Sequence, residues 1–167
     1  MSFHMPPVMR GLLVLACDPG GAMAAAAGTL PAAADGLAVL QVGPAAPTPE
    51  EALPGGDIGN WAGRLIEAVC WAGRRAACQG PVFLLGERCG GAAAIEAAAA
   101  LGERVQALAL LEARKDLVSR VALAVLAVPV LTLPGRRIGG PGAPAFPEPA
   151  AARILDWVNQ GMEARAS

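Results

Sequence analysis

The stretch from Pro81 to Leu101, PVFLLGERCGGAAAIEAAAAL, narrows most what this chain can fold into. Its apolar run, Val82 to Leu85, reads as a buried strand. Glycines bracket the next six residues, Gly86-Glu87-Arg88-Cys89-Gly90-Gly91, which predicts a tight turn. The Ala-rich segment after it is a strong helix former. A strand that feeds through a sharp turn into a small-residue helix is the repeating half of a β-α-β unit.

The rest of the chain repeats that alternation. Leu12 to Ala16 is a continuous apolar strand of the kind buried on both faces of a parallel sheet. Cys17-Asp18-Pro19-Gly20-Gly21 forms the turn at its carboxyl end, and an Ala-rich helix from Ala22 to Ala34 follows. Leu37 to Val42 is the second strand. Residues 43–56 carry Pro44, Pro47, Pro49 and Pro54, which block both helix and ladder, so a long loop is expected. The third strand is Val82 to Leu85. The fourth is Val105 to Leu111, with Glu112 at its carboxyl end. A helix is predicted from Arg114 to Ala124 and the fifth strand from Val128 to Leu133. After a Gly/Pro-rich loop over 134–147, Pro149 opens a last helix to about Met162, burying Ala151, Ile154, Leu155 and Val158. Strands alternating with helices through short crossovers imply a parallel sheet with helices on both faces, a three-layer α/β sandwich. The expected organisation is a flexible arm over residues 1–10 and a single domain over 11–164.

Asp57 is expected to cap a helix that runs to about Ala77. Ile58, Trp61, Ala62, Leu65, Val69, Ala72 and Ala76 make its apolar stripe. Asn60, Arg64, Glu67, Arg74, Arg75 and Cys78 face the other way, and Trp71 falls among them. Subunit interfaces favour Trp and Arg, so Trp71, Arg74 and Arg75 are interface candidates. The alternative is a Trp lying flat over arginine stems.

Several function classes are excluded or disfavoured. Net charge is −1, and Lys115 is the only lysine, so there is no basic face for nucleic acid. The four cysteines, 17, 70, 78 and 89, show no CxxC or other metal spacing, and the one histidine, His4, lies in the arm. No metal or other cofactor is expected, and reduced cytoplasmic thiols are the default. The apolar run before Cys17 is too short for a secretory core, and no run approaches the roughly 20 residues of a membrane span. Neither glycine-rich turn has the G-x-G-x-x-G or G-K-[ST] pattern of nucleotide sites.

Residues 85–92, Leu-Gly-Glu-Arg-Cys-Gly-Gly-Ala, resemble the G-x-C-x-G-G-A nucleophile elbow of the α/β-hydrolase superfamily, in particular its dienelactone-hydrolase-like branch. Weaker likenesses follow in the same order. Thr48-Pro49-Glu50-Glu51 and Asp57-Ile58 are similar to the approach to the helix before the elbow. Glu103-Arg104-Val105 and Arg114-Lys115-Asp116-Leu117 are similar to the strand and loop after it. Val128-Pro129-Val130-Leu131 resembles the strand before the catalytic acid. Pro141 to Phe146 with Glu148-Pro149 resembles the segment that carries the catalytic histidine. The resemblance covers roughly residues 11–160 and implies a minimal core of five mostly parallel strands in the order 2-1-3-4-5.

Against that pattern the catalytic residues are missing. The nucleophile position holds Arg88. The turn Pro134-Gly135-Arg136-Arg137 has no Asp, and the histidine position falls on Pro144 or Ala145. A triad needs a base beside the nucleophile and a group that orients the base. Cys89 remains the candidate nucleophile for acyl transfer or redox chemistry, with Cys17 and Glu112 nearby. A helix N-terminus and the adjacent Arg88 are expected to lower its pKa; the alternative is a small apolar residue turned into the core. Arg88 either holds a carboxylate or phosphate, helped by Gly90 and other backbone N–H groups of the helix N-terminus, or pairs with Asp18 or Glu112 and plugs the site. Asp18 stands where the family has its oxyanion loop, and a carboxylate there repels an oxyanion.

Three functions are therefore expected in order. The first is a catalytically degenerate α/β-hydrolase-like protein that binds a protein partner, itself as a homo-oligomer, or a small ligand; a shortened sheet with a bare edge strand favours pairing with another chain. The second is an active hydrolase or thioesterase using Cys89. The third is an anion-binding module centred on Arg88.

Overall fold

The computed structural model of the chain describes residues 2–4, 6, 9–18, 23, 36–44, 58–75, 80–133 and 154–160. The helix predicted over 22–34, apart from Met23, lies outside them. So do most of the 43–56 loop, Asp57, Ala76, Cys78, the 134–147 loop and the start of the last helix at Pro149.

Five strands run parallel: β2 (Gly11–Ala16), β3 (Leu37–Val42), β4 (Val82–Glu87), β5 (Val105–Leu111) and β6 (Val130–Leu133). With a sixth, β1 (Ser2–His4), the sheet order is β1-β3-β2-β4-β5-β6. The parallel strands thus follow the expected order 2-1-3-4-5. Within the arm expected over 1–10, residues 2–4 are a strand. They pair antiparallel with β3, Phe3 opposite Leu40.

Helix α1 (Ile58–Gly73) and helix α2 (Arg88–Leu101) pack side by side on one face of the sheet. Alternate strand residues Leu12, Val14, Leu40, Leu84 and Leu108 meet Trp61, Leu65, Val69 and Ile95 there. The opposite residues, Leu13, Leu15, Phe83 and Leu85, pack with Met23, Ile154 and Val158 on the second face. Period-2 alternation, apolar on both sides, is what a doubly covered parallel sheet requires. α2 is central because its side chains are small. Ala92, Ala93, Ala94, Ala97 and Ala98 are all buried and let it lie close to the strands.

Several element boundaries differ from expectation. α1 stops at Gly73, the poorest helix former in its last turns, and the Arg75 N–H closes a turn onto the Ala72 carbonyl at 2.9 Å. The helix expected over 114–124 divides into a 3-10 turn, Lys115–Leu117, and a short α3, Arg120–Val125. Ser119 causes the break. Its Oγ caps α3 by accepting the Ala122 N–H at 3.1 Å, while Glu96 on α2 accepts both the Ser119 N–H and hydroxyl. β6 begins at Val130, after Pro129, which lacks the N–H for a ladder. No described helix is long and apolar enough to cross a membrane.

Candidate functional site

In a parallel sheet the carboxyl ends of the strands share one rim. β2 delivers Cys17 and Asp18 to it, β4 delivers Arg88, Cys89 and Gly90, and β5 delivers Glu112. The register sets Ala16 beside Gly86 and Glu87 beside Leu111. Six of the predicted site residues are therefore gathered at one edge.

No separate six-residue turn divides β4 from α2. The strand ends at Glu87 and the helix starts at Arg88, so the reversal is concentrated in one residue. Arg88 takes a φ of +50°, in the left-handed region that side chains seldom enter, at a cost of order 1–3 kcal/mol. Glu112, one strand over, has a φ of +49°. The flanking glycines let the backbones close up. A Cβ at Gly86 would lie 2.6 Å from the Gly90 carbonyl oxygen, and one at Gly90 would overlap the Ala16 carbonyl and stand 3.0 Å from the Trp61 ring.

Asp18 fills the N-terminus of α2. Its Oδ1 accepts the Gly90 N–H at 3.3 Å, across 72 residues of sequence. Glu87, the residue before the helix, makes no side-chain cap, so the carboxylate from β2 takes that place. Burial pushes the Asp18 pKa up, while the Cys89 and Gly90 N–H groups and Arg88 pull it back. Arg88 itself is exposed, and among the described residues it forms no ion pair with Asp18 or Glu112. The expected Arg88 plug is not formed. Its backbone carbonyl accepts the Arg114 N–H at 3.0 Å.

The Cys89 thiol differs from expectation. Burial pushes the Cys89 thiol up, Asp18 adds to this, and Arg114 and Arg88 oppose it without prevailing. The predicted lowering by the helix terminus and Arg88 is overturned chiefly by burial, and the carboxylate at that terminus adds to it. Half-buried, Cys89 packs against the core beneath α1 and α2. Cys17 is fully buried in the opposite core, and burial with the nearby Glu87 pushes its thiol up to about 12. The two thiols lie on opposite faces of the sheet, and both are free.

Two features at the rim escaped the sequence. Glu87 is buried, and its Oε2 accepts the Met23 N–H at 2.9 Å. The signal was available in the strand alternation, which puts 87 on the face of Phe83 and Leu85. Arg114 grips Asp116 bidentately, Nε to Oδ1 at 2.8 Å and Nη2 to Oδ2 at 2.7 Å. The pair is largely exposed, so it adds little stability.

Away from the rim, Trp71 is half-buried rather than exposed, with the Arg75 guanidinium 4.1 Å above its ring. The stacked alternative is the arrangement present; Arg74 and Arg75 are exposed. No group of three or more His, Cys, Asp or Glu side chains among the described residues is placed to hold a metal.

The order of the sheet, the elbow at Arg88 and the helices on both faces define the α/β-hydrolase fold. The chain is similar to a dienelactone hydrolase from Anabaena variabilis ATCC 29413, with 23% identity, a TM-score of 0.64, and coverage of 97% of this chain and 89% of that one. It is also similar to Est1E from Butyrivibrio proteoclasticus with ferulic acid bound, at 12% identity and a TM-score of 0.65, covering 97% and 94%. No family model and no curated protein matches the sequence.

Proposed function

We propose that this chain is a catalytically degenerate protein of the α/β-hydrolase fold that acts by binding. Two observations together carry the reading: Arg88 stands at the apex of the elbow, and the Asp18 carboxylate sits separately on the Gly90 N–H. Acyl transfer needs a nucleophile at that apex and free N–H donors where negative charge develops. Here a guanidinium stands at the first position and a carboxylate at the second. One lost oxyanion donor costs about 2.7–4 kcal/mol of transition-state stabilisation, and a carboxylate in its place adds repulsion. Burial and Asp18 push the Cys89 thiol up, which argues against it as a substitute nucleophile at neutral pH.

Binding to a second copy or another protein is supported by the apolar surface of α3 and β6. Val121 is 71% exposed, Leu123 46%, Val125 56% and Val130 41%. Among the described residues β6 pairs only with β5, so its outer edge offers unpaired backbone groups.

Iodoacetamide labelling of the native protein near neutral pH tests the loss of catalysis. Cys89 should be modified no faster than an ordinary thiol of its exposure. Selective, rapid labelling of Cys89 would instead favour the hydrolase or thioesterase reading.

A further inference from the structure

We infer that the rim at β4 and β5 binds a small zwitterion of the amino-acid class, its carboxylate on Arg88 and its ammonium on Glu112. This names a ligand for a chain that acts by binding, and rests on that reading. Among the described residues, Arg88 and Glu112 are the only non-glycine residues with positive φ, at +50° and +49°. They follow directly on Glu87 and Leu111, the register partners that end β4 and β5, so the two positions are neighbours across the sheet. A left-handed backbone is costly for any residue with a Cβ and not for glycine. The chain has 21 glycines, yet an arginine and a glutamate stand at these two strand ends. Strain kept at a pair of adjacent positions points to a use for the side chains.

Both side chains are exposed, and among the described residues neither enters an ion pair or a side-chain hydrogen bond. Other charges near them are already engaged. Asp18 accepts the Gly90 N–H, and Arg114 and Asp116 hold each other. Lys115 is exposed as well, but its backbone carries no strain. The signs of the two strained residues select the ligand. An anion alone gains from Arg88 but meets the carboxylates of Glu112 and Asp18, and a cation alone meets Arg88. An α-amino acid carries both charges on one carbon and avoids either penalty. The planar arginine fork takes its carboxylate through two parallel hydrogen bonds, and Glu112 accepts from its ammonium. An exposed Arg–Glu pair is worth little, so the ligand loses little if it must part the two side chains.

The test is titration with L-alanine, with L-alaninamide, which lacks the anion, and with N-acetyl-L-alanine, which lacks the cation. The reporter is the NMR signal of the Arg114 N–H, held on the Arg88 carbonyl at 3.0 Å. L-Alanine should shift it saturably and bind at least about tenfold more tightly than either analogue. Arg88→Gln should abolish the advantage over the amide, and Glu112→Gln the advantage over the N-acetyl acid. Arg88→Gly and Glu112→Gly should lose binding yet melt at a higher temperature than the natural protein, because glycine relieves the left-handed strain. L-Alanine has no ester or amide bond, so its binding is read apart from the loss of catalysis, which ester turnover tests. No saturable shift with L-alanine, equal response to the three compounds, unchanged binding in both glutamine variants, or glycine variants that melt lower would overturn the assignment.

Discussion

Asp18 shows how a single residue redirects the elbow. Its carboxylate belongs to β2, yet it caps α2 at Gly90. Burial is the main influence on it and favours the neutral acid in the folded chain. The stability from that preference is full below the unfolded-state value, about 4, and is lost as pH rises through the higher folded value. Asp18→Asn keeps an oxygen for the Gly90 N–H and removes the charge. We expect it to melt at a higher temperature than the natural protein at pH 7, and the gap to close as pH falls toward that of the unfolded acid. Thermal melts across this range check it; a gap that stays constant with pH would contradict the role given to burial. At this scale the sequence carried Gly86 and Gly90 clearly, because the turn requires them locally. It misjudged Cys89, because burial raises a thiol pKa and a carboxylate that has claimed the helix N-terminus raises it further. The claimant lies 72 residues away, a separation that no local spacing reveals.

The element that depends most on close approach is α2. Its first turn touches the end of β2 through Gly90, where any side chain meets the Ala16 carbonyl. Gly90→Ala should destabilise the chain by about 1–3 kcal/mol, the usual range for overpacking a tight contact, as read by urea denaturation. A variant as stable as the natural chain would show that β2 and α2 do not meet as described. The strands and the Ala-rich helix were legible because periodicity and composition are local. The break before α3 was not, since it comes from Glu96 on α2 holding Ser119. A run such as 114–124 contains no Gly or Pro to announce it.

For the whole molecule, the sheet order was legible through the resemblance of residues 85–92 and the sequence of flanking pieces. β1 was not, because a three-residue edge strand has no periodicity to detect. At the other end of the sheet, apolar residues of α3 and β6 are exposed, and the proposed binding would use them. Sedimentation should therefore depend on protein concentration, and Val121→Asp should shift the population toward monomer. A natural chain that stays monomeric at the highest soluble concentration contradicts association through this face. The central claim is that the fold has kept its elbow without its chemistry. Hydrolysis of 4-nitrophenyl acetate and of a simple thioester by the natural protein and by Cys89→Ser tests this most directly. We predict no turnover above buffer for either protein; turnover by the natural chain that Cys89→Ser abolishes would contradict the account.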